Sequence, residues 1–325
     1  MAAPLGVPAL AARHVLGAVD PAEAVEAVRR AFVAHAEGRW HMPAKVYVPA
    51  PPDGDFRAMP AAGDGYAVLK WINSFPRNPE LGLPTVSGVL LLSEAHTGRL
   101  LALMDAAAVT ALRTGAAGVL AAETLARPTV APAVVVGCGV NGKAVARTFL
   151  ARRRDVLLWD ALPGRAAAAA AELGEDAAVA RDLAEALAAD VVVTVTPGHE
   201  ILFEHGSLHA GQHVSLMGAD GPGKAEIAVE ELLRVRVVCD EWEQASHNGD
   251  VARAVAEGLR RDDVVEFGPV LLGREPGRTD ESEITVFDST GLAVQDLAIA
   301  IAVHERYVRE RESERFTGVV EIDLG

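Results

Sequence analysis

AVVVGCGVNG, at residues 133–142, carries four apolar residues straight into the spacing G-x-G-x-x-G. An apolar strand that ends in such glycines and opens a helix is built to hold the pyrophosphate of a dinucleotide. Gly137 makes the tight turn, Gly139 lets a phosphate approach the backbone, and Gly142 lets helix and strand pack closely. Val140 and Asn141 then open the helix, whose unpaired N–H groups and positive dipole end favour an anion. DVLLWD (155–160) reads as the next strand and ends in Asp160, 18 residues past Gly142. An acid there accepts hydrogen bonds from the adenosine ribose hydroxyls and repels a 2′-phosphate, which favours NAD over NADP.

Outward from this turn the chain alternates. VVVTVTP, HVSLMG, RVVCD and EITVFDST read as further strands, with helices expected over 164–173 and near 181–188. Strand–helix alternation of this kind predicts an α/β fold with a Rossmann-type doubly wound parallel sheet. Before the turn the pattern differs. Asp20-Pro21-Ala22-Glu23 is a helix start, with Asp20 as cap and Glu23 at the capping-box position. KVYVP, DFRAMPA and YAVLKWINS read as strands, TVSGVLLLS and LLALMD as a hairpin around EAHTGR, and 106–126 as an Ala-rich helix that Pro128 ends. A long amphipathic helix from Leu292 to about Arg311 is expected near the end of the chain.

The 325 residues suffice for about two domains, and half of them are hydrophobic. A net charge of −15 argues against nucleic acid or an anionic membrane surface as partner. Two cysteines, Cys138 and Cys239, suit a reducing cytosol and exclude a disulfide scaffold or a cysteine metal cluster, so no metal is expected. The start of the chain lacks the basic and apolar regions of a signal peptide, and no apolar run reaches membrane-spanning length. A cytoplasmic protein is expected.

Three cations lie in apolar or small-residue surroundings. Lys70, in YAVLKWINS, shares a strand face with Val68 and Ile72 by alternation. A lysine buried there costs free energy unless paired, whereas on an edge strand it would guard against aggregation. Arg57 lies in FRAMP and Arg113 in ALRTGAAG, where small neighbours leave a guanidinium room to reach an anion. Asp220 follows HVSLMGA and precedes Gly221-Pro222-Gly223-Lys224. Turn chemistry alone explains it, but the carboxyl end of a parallel strand is also where doubly wound sheets bind ligands.

Taken together, DFRAMPA (55–61), LKWINSFPRNPELGLPTV (69–86), ALMDAAAVTALRTGAAG (102–118), VVVGCGVNG (134–142), TVTP (194–197), SLMGADGPGKAEI (215–227) and PGRTDESEITVFDSTGLAVQD (276–296) resemble the ornithine cyclodeaminase/mu-crystallin family, in the family's order. The resemblance implies a homodimer of two-domain subunits. Residues 1–116 with 293–325 would form an α+β substrate-binding and dimerisation domain, and 117–292 the NAD-binding domain. By resemblance, Arg57 would hold the substrate carboxylate, with Lys70 beside it as binding group and proton carrier. Lys45 matches a basic position near the substrate in part of the family. Arg113 and Thr114 would contact the cofactor, Thr85 would lie near it, and Met217 and Gly218 would line the nicotinamide pocket, with Thr196 and Ser289 beside it. Asp220 would be the acid/base.

The family's shared step would be oxidation of an α-amino acid to an α-imine, or the reverse on a small amino-acid or imine substrate. Alanine-dehydrogenase-like members hydrolyse the imine, cyclodeaminases let a side-chain amine displace ammonia, and ketimine-reductase-like members reduce cyclic imines. Ornithine cyclodeaminases have a longer segment between the matching Arg and Lys, with an acid for the distal amine. Here Arg57 and Lys70 are 13 apart, and the only acid between them is Asp64 in a Gly-Asp-Gly turn. That favours a dehydrogenase or imine reductase, with ornithine cyclodeaminase as the alternative and a non-catalytic mu-crystallin-like binding protein as a second. Arg57, Lys70 and Asp220 together argue against a pure binder, which needs no proton carrier.

Overall fold

A computed structural model describes residues 6–221 and 223–323. The chain divides into two compact units, Met1–Arg113 with Leu292–Gly325, and Thr114–Gly291.

The first unit is built on a sheet of seven strands. They are β1 (Val7–Leu10), β2 (Val46–Ala50), β3 (Gly54–Gly63), β4 (Tyr66–Ser74), β5 (Val86–Glu94), β6 (Leu100–Asp105) and a final strand, Val320–Ile322. The final strand lies at one edge beside β1, followed in order by β6, β5, β4, β3 and β2. Only β1 and β6 run parallel. Alternation sorts the side chains. β3 buries Arg57, Met59 and Ala61, and β4 buries Val68, Lys70 and Ile72. Against this face packs the helix Ala293–Glu310, and on that helix packs Pro21–Ala36, capped by Asp20 and Glu23 as expected. Phe32, Leu90, Leu92 and Met104 are buried in this unit, each worth roughly 1.5–3 kcal/mol relative to exposure. The opposite face leaves Val46, Val48, Leu69, Trp71 and Val89 exposed.

The edge-strand reading of Lys70 is overturned. β4 pairs with β3 on one side and β5 on the other, and Lys70 is only 1% exposed. The lysine is a core residue.

The second unit holds an eight-stranded parallel sheet. Its strands are β7 (Ala133–Val136), β8 (Val156–Trp159), β9 (Ala177–Val179), β10 (Val191–Thr194), β11 (His213–Leu216), β12 (Arg236–Cys239), β13 (Val264–Glu266) and β14 (Thr285–Asp288). Their spatial order is β13-β12-β14-β11-β10-β7-β8-β9. Every residue of β7, β10, β11 and β14 is buried, as befits interior strands of a parallel sheet covered on both faces. From β7 the chain goes to β8 and β9 on one side, then returns to β10 on the other. That reversal is where open α/β sheets bind ligands, beyond the carboxyl ends of the strands. The glycine turn sits there, at the end of β7. Among the described residues no helix is long and apolar enough to cross a membrane.

Candidate active site

In the first unit, β3, β4 and two helices assemble a charged group inside apolar surroundings. Arg57 lies opposite Ile72 and Met59 opposite Lys70, so the arginine and lysine are diagonal neighbours on one sheet face. Lys70 Nζ lies 2.7 Å from Asp296 Oδ2 and donates to Thr110 Oγ1 at 3.3 Å. Asp296 is completely buried and also lies 3.7 Å from Arg113 Nε. Arg113 comes from the helix Ala106–Leu125 and is the last residue of the unit's first segment. Its Nε is buried and makes no hydrogen bond among the described residues. Arg57 is held by Asp55, with Nε 2.6 Å from the carboxylate, and lies over the Tyr47 ring. Lys45 lies over the same ring at 5.8 Å. The structure therefore brings Lys45, Arg57, Lys70 and Arg113 into one neighbourhood. Thr85 is elsewhere, at the entry to β5, where its carbonyl accepts from Phe75 N–H at 2.8 Å.

The electrostatics follow from burial. Desolvation lowers the Lys70 pKa to about 8, with Arg113 and Arg57 adding to that fall and Asp296 opposing it. Arg57, Lys70 and Arg113 gather three cations in buried surroundings, with Asp55 and Asp296 among them. Such a group suits a ligand carboxylate.

In the second unit the glycine turn has the geometry its spacing predicts. Gly137 has φ +100°, and an added Cβ would lie 2.7 Å from the Val195 carbonyl oxygen. A Cβ on Gly142 would lie 1.7 Å from the Gly137 carbonyl oxygen. A Cβ on Gly139 would meet nothing within 4 Å, so this glycine borders open space. Gly139 is the N-cap of the helix Val140–Ala151 and supplies no side chain to its first N–H groups. Both features fit a pyrophosphate. Asp160 is nearly buried and accepts from Cys138 N–H at 2.7 Å and Leu162 N–H at 2.8 Å, with Arg165 3.8 Å away. The acid is thus tied to the glycine turn itself, and a carboxylate has about four acceptor sites, so capacity remains for ribose hydroxyls. Burial and Asp160 push the Cys138 thiol up to about 11, so it is inert.

Buried acids organise the other strand ends. Glu226 accepts from Thr196 Oγ1 at 2.6 Å, Thr194 Oγ1 at 2.8 Å and Gly218 N–H at 2.8 Å. It ties Thr196 at the end of β10 to Met217-Gly218 at the end of β11. A Cβ on Gly218 would strike the Thr196 carbonyl at 2.3 Å. Asp250 in turn accepts from the N–H groups of Glu226 and Ile227. Asp240 accepts from Ser289 Oγ, Thr290 Oγ1 and Gly291 N–H, which fixes the loop after β14. Burial raises the pKa of Glu226, Asp250 and Asp288; repulsion from Glu226 adds to the rise at Asp250, and repulsion from Asp250 to that at Asp288. Asp220 is partly exposed, and its carboxylate accepts from Lys224 Nζ at 2.7 Å. Thr114 is buried, and its hydroxyl makes no hydrogen bond among the described residues.

The family model for ornithine cyclodeaminase/mu-crystallin proteins matches residues 10–311. The chain belongs to this family. An alanine dehydrogenase of Archaeoglobus fulgidus is 42% identical over 292 residues, covering 87% of this chain and 89% of the relative. Among solved structures, an archaeal alanine dehydrogenase dimer with bound NAD superposes with a TM-score of 0.89 at 38% identity, covering 99% of this chain and 100% of that one. The Thermococcus litoralis Δ1-pyrroline-2-carboxylate reductase, in complex with NADH and L-proline, gives 0.87 at 26% identity over 93% of this chain and 98% of that one.

Asp296 and Glu226 escaped the sequence reading, although both lie inside segments that carry the family resemblance. A signal for Asp296 exists. It shares a stripe with Ile299, Ala300, Val303 and Tyr307, all buried, at the i, i+3, i+4, i+7, i+11 spacing of a core-facing helix. An acid on such a stripe demands a cation.

Proposed function

We propose that this protein is an NAD-dependent oxidoreductase that moves a hydride between the cofactor and the α-carbon of a small amino acid or its imine. The observation that carries the reading is the buried Arg57–Lys70–Arg113 group, three cations gathered in apolar surroundings. Guanidinium forks and an ammonium fix a carboxylate and hence the carbon attached to it. The glycine turn, the open space at Gly139 and Asp160 support a dinucleotide without a 2′-phosphate. Relatives named alanine dehydrogenase and pyrroline-2-carboxylate reductase, and solved neighbours bound to NAD or NADH, agree with both.

In this reading Arg57 and Lys70 hold the substrate carboxylate and Lys45 adds positive potential. Thr85, Arg113, Thr114, Thr196, Met217, Gly218 and Ser289 serve the cofactor, and Arg113 also faces the substrate anion. Asp220 takes or returns the proton that moves at nitrogen or water. Bound NAD supplies the hydride acceptor. Asp64 cannot serve a distal amine. It is exposed at the tip of the β3–β4 hairpin with φ +49°, at the opposite end of β3 from Arg57. This favours dehydrogenase or imine reductase over cyclodeaminase.

An amino-acid and cyclic-imine panel tests the reading, run with NAD and NADP while NADH and ammonia are followed together. Both products should rise together with a small amino acid, or a cyclic imine should consume NADH, and NAD should be preferred. Ammonia without net NADH would make it a cyclodeaminase. No turnover in any mode would sink the enzyme reading, and preference for NADP would refute the role of Asp160.

We also propose a homodimer through the first unit's exposed sheet face, where Val46, Val48, Leu69, Trp71 and Val89 form an apolar patch of the kind that marks interfaces. Sedimentation at micromolar concentration should give twice 34.0 kDa, and a monomer mass would refute it.

A further inference from the structure

We propose that Asp296 is a positioning residue for Lys70: it keeps the ammonium charged and aimed, so that one N–H remains for a substrate carboxylate. The proposal rests on the amino-acid/imine reading above. An ammonium has three donors. The ammonium lies 2.7 Å from Asp296 Oδ2 as a buried ion pair and donates to Thr110 Oγ1 at 3.3 Å. Donor capacity remains for a ligand. Two fixed partners on two different helices hold a flexible four-carbon side chain in one direction. Burial and two guanidinium groups oppose the ammonium's charge, and Asp296 favours it. Asp296 is the one carboxylate in contact with it among the described residues, and it has no exposure through which water could take over that role.

The charged groups facing Lys70 are Asp296 from the C-terminal helix, Arg113 from the helix Ala106–Leu125 and Arg57 from β3. His304, further along the C-terminal helix, lies against Tyr66 at the far end of β4. Asp296 alone among these groups raises the Lys70 pKa. Its loss should therefore lower that pKa further and shift the pH dependence of carboxylate binding downward.

The test uses the full chain saturated with NADH, a non-reducible small carboxylate as competitive ligand, and the variants Asp296→Asn, Lys70→Met and the double variant. In the native protein, carboxylate affinity should fall as pH rises through about 8, the pH at which Lys70 loses its proton. Asp296→Asn should weaken the carboxylate at least about tenfold at pH 8, with the loss narrowing towards pH 6, while NADH affinity is unchanged. A purely structural residue would give a loss that does not depend on pH, and that result overturns the assignment.

The double variant should bind carboxylate no worse than Lys70→Met and be more stable than it. Removing both members of a buried pair is milder than stranding one of them, and residues that act together are not additive. If Asp296→Asn does not fold, this comparison decides by itself. Equal affinities support the proposal, and a further tenfold loss in the double variant overturns it. If the native protein binds no small carboxylate at any pH, the functional reading fails first. If it does and Asp296→Asn matches its pH profile, only the role of Asp296 falls.

Discussion

Asp220→Asn should lower kcat by a factor on the order of 10²–10⁴, the usual worth of a positioned acid or base. The substitution keeps the shape of the side chain. Its amide oxygen can still accept from Lys224, which lies 2.7 Å from the native carboxylate. The change therefore removes proton capacity and a charge while keeping the size of the side chain. Stability should hardly move, because an ion pair whose members are 22% and 32% exposed contributes only about 0–1 kcal/mol. NADH affinity should also hold, since the glycine turn and Asp160 are built from other residues of the same sheet. Steady-state kinetics at saturating substrate, with NADH titration and thermal unfolding as controls, separate these effects. A kcat within about tenfold of native would remove Asp220 from the proton-transfer role.

The sequence displayed Asp220 more clearly than it displayed its surroundings. Two strands that position ligands in the second unit, AVVV before Gly137 and VLLW before Asp160, are apolar runs ending in glycine or acid, and both signals are local. β9 and β13 are strands of three residues, and β1 has four. Such lengths carry no period, so pattern reading passes over them. The final strand, Val320–Ile322, pairs with β1 across almost the whole chain, and no local signal encodes that partner. Lys70 shows the same limit at a single residue. Alternation placed it on the buried face of β4 and burial demanded a counter-charge. The partner lies 226 residues downstream in a helix, where an acid in the first turn has its own explanation in the helix dipole. The chemistry of a buried cation says that an anion must exist. Only the fold says which one.

The glycine turn permits the sharpest separation of folding from binding, because two of its glycines are required for different reasons. Gly142→Ala would place a carbon 1.7 Å from the Gly137 carbonyl oxygen, a backbone atom that cannot swing aside as a side chain could. Either the turn or the helix Val140–Ala151 must shift, and forcing extra volume into packed structure costs about 1–3 kcal/mol or more. The melting temperature of the apo protein should fall, and NADH affinity with it, because the helix N–H groups no longer point where Gly139 leaves room. Gly139→Ala meets nothing within 4 Å in the protein. It should cost apo stability no more than about 1 kcal/mol, because Gly139 is a helix N-cap, where alanine is less favourable than glycine. NADH affinity should nevertheless fall at least about tenfold, because the added methyl would occupy the space through which a pyrophosphate reaches the backbone. Fluorescence titration of NADH beside thermal melts of the apo variants reads both quantities. If Gly139→Ala binds NADH as tightly as the native protein, the phosphates do not pass there, and the open space at this glycine has another purpose. If Gly142→Ala melts with the native protein, the turn is more pliable than its backbone contacts allow.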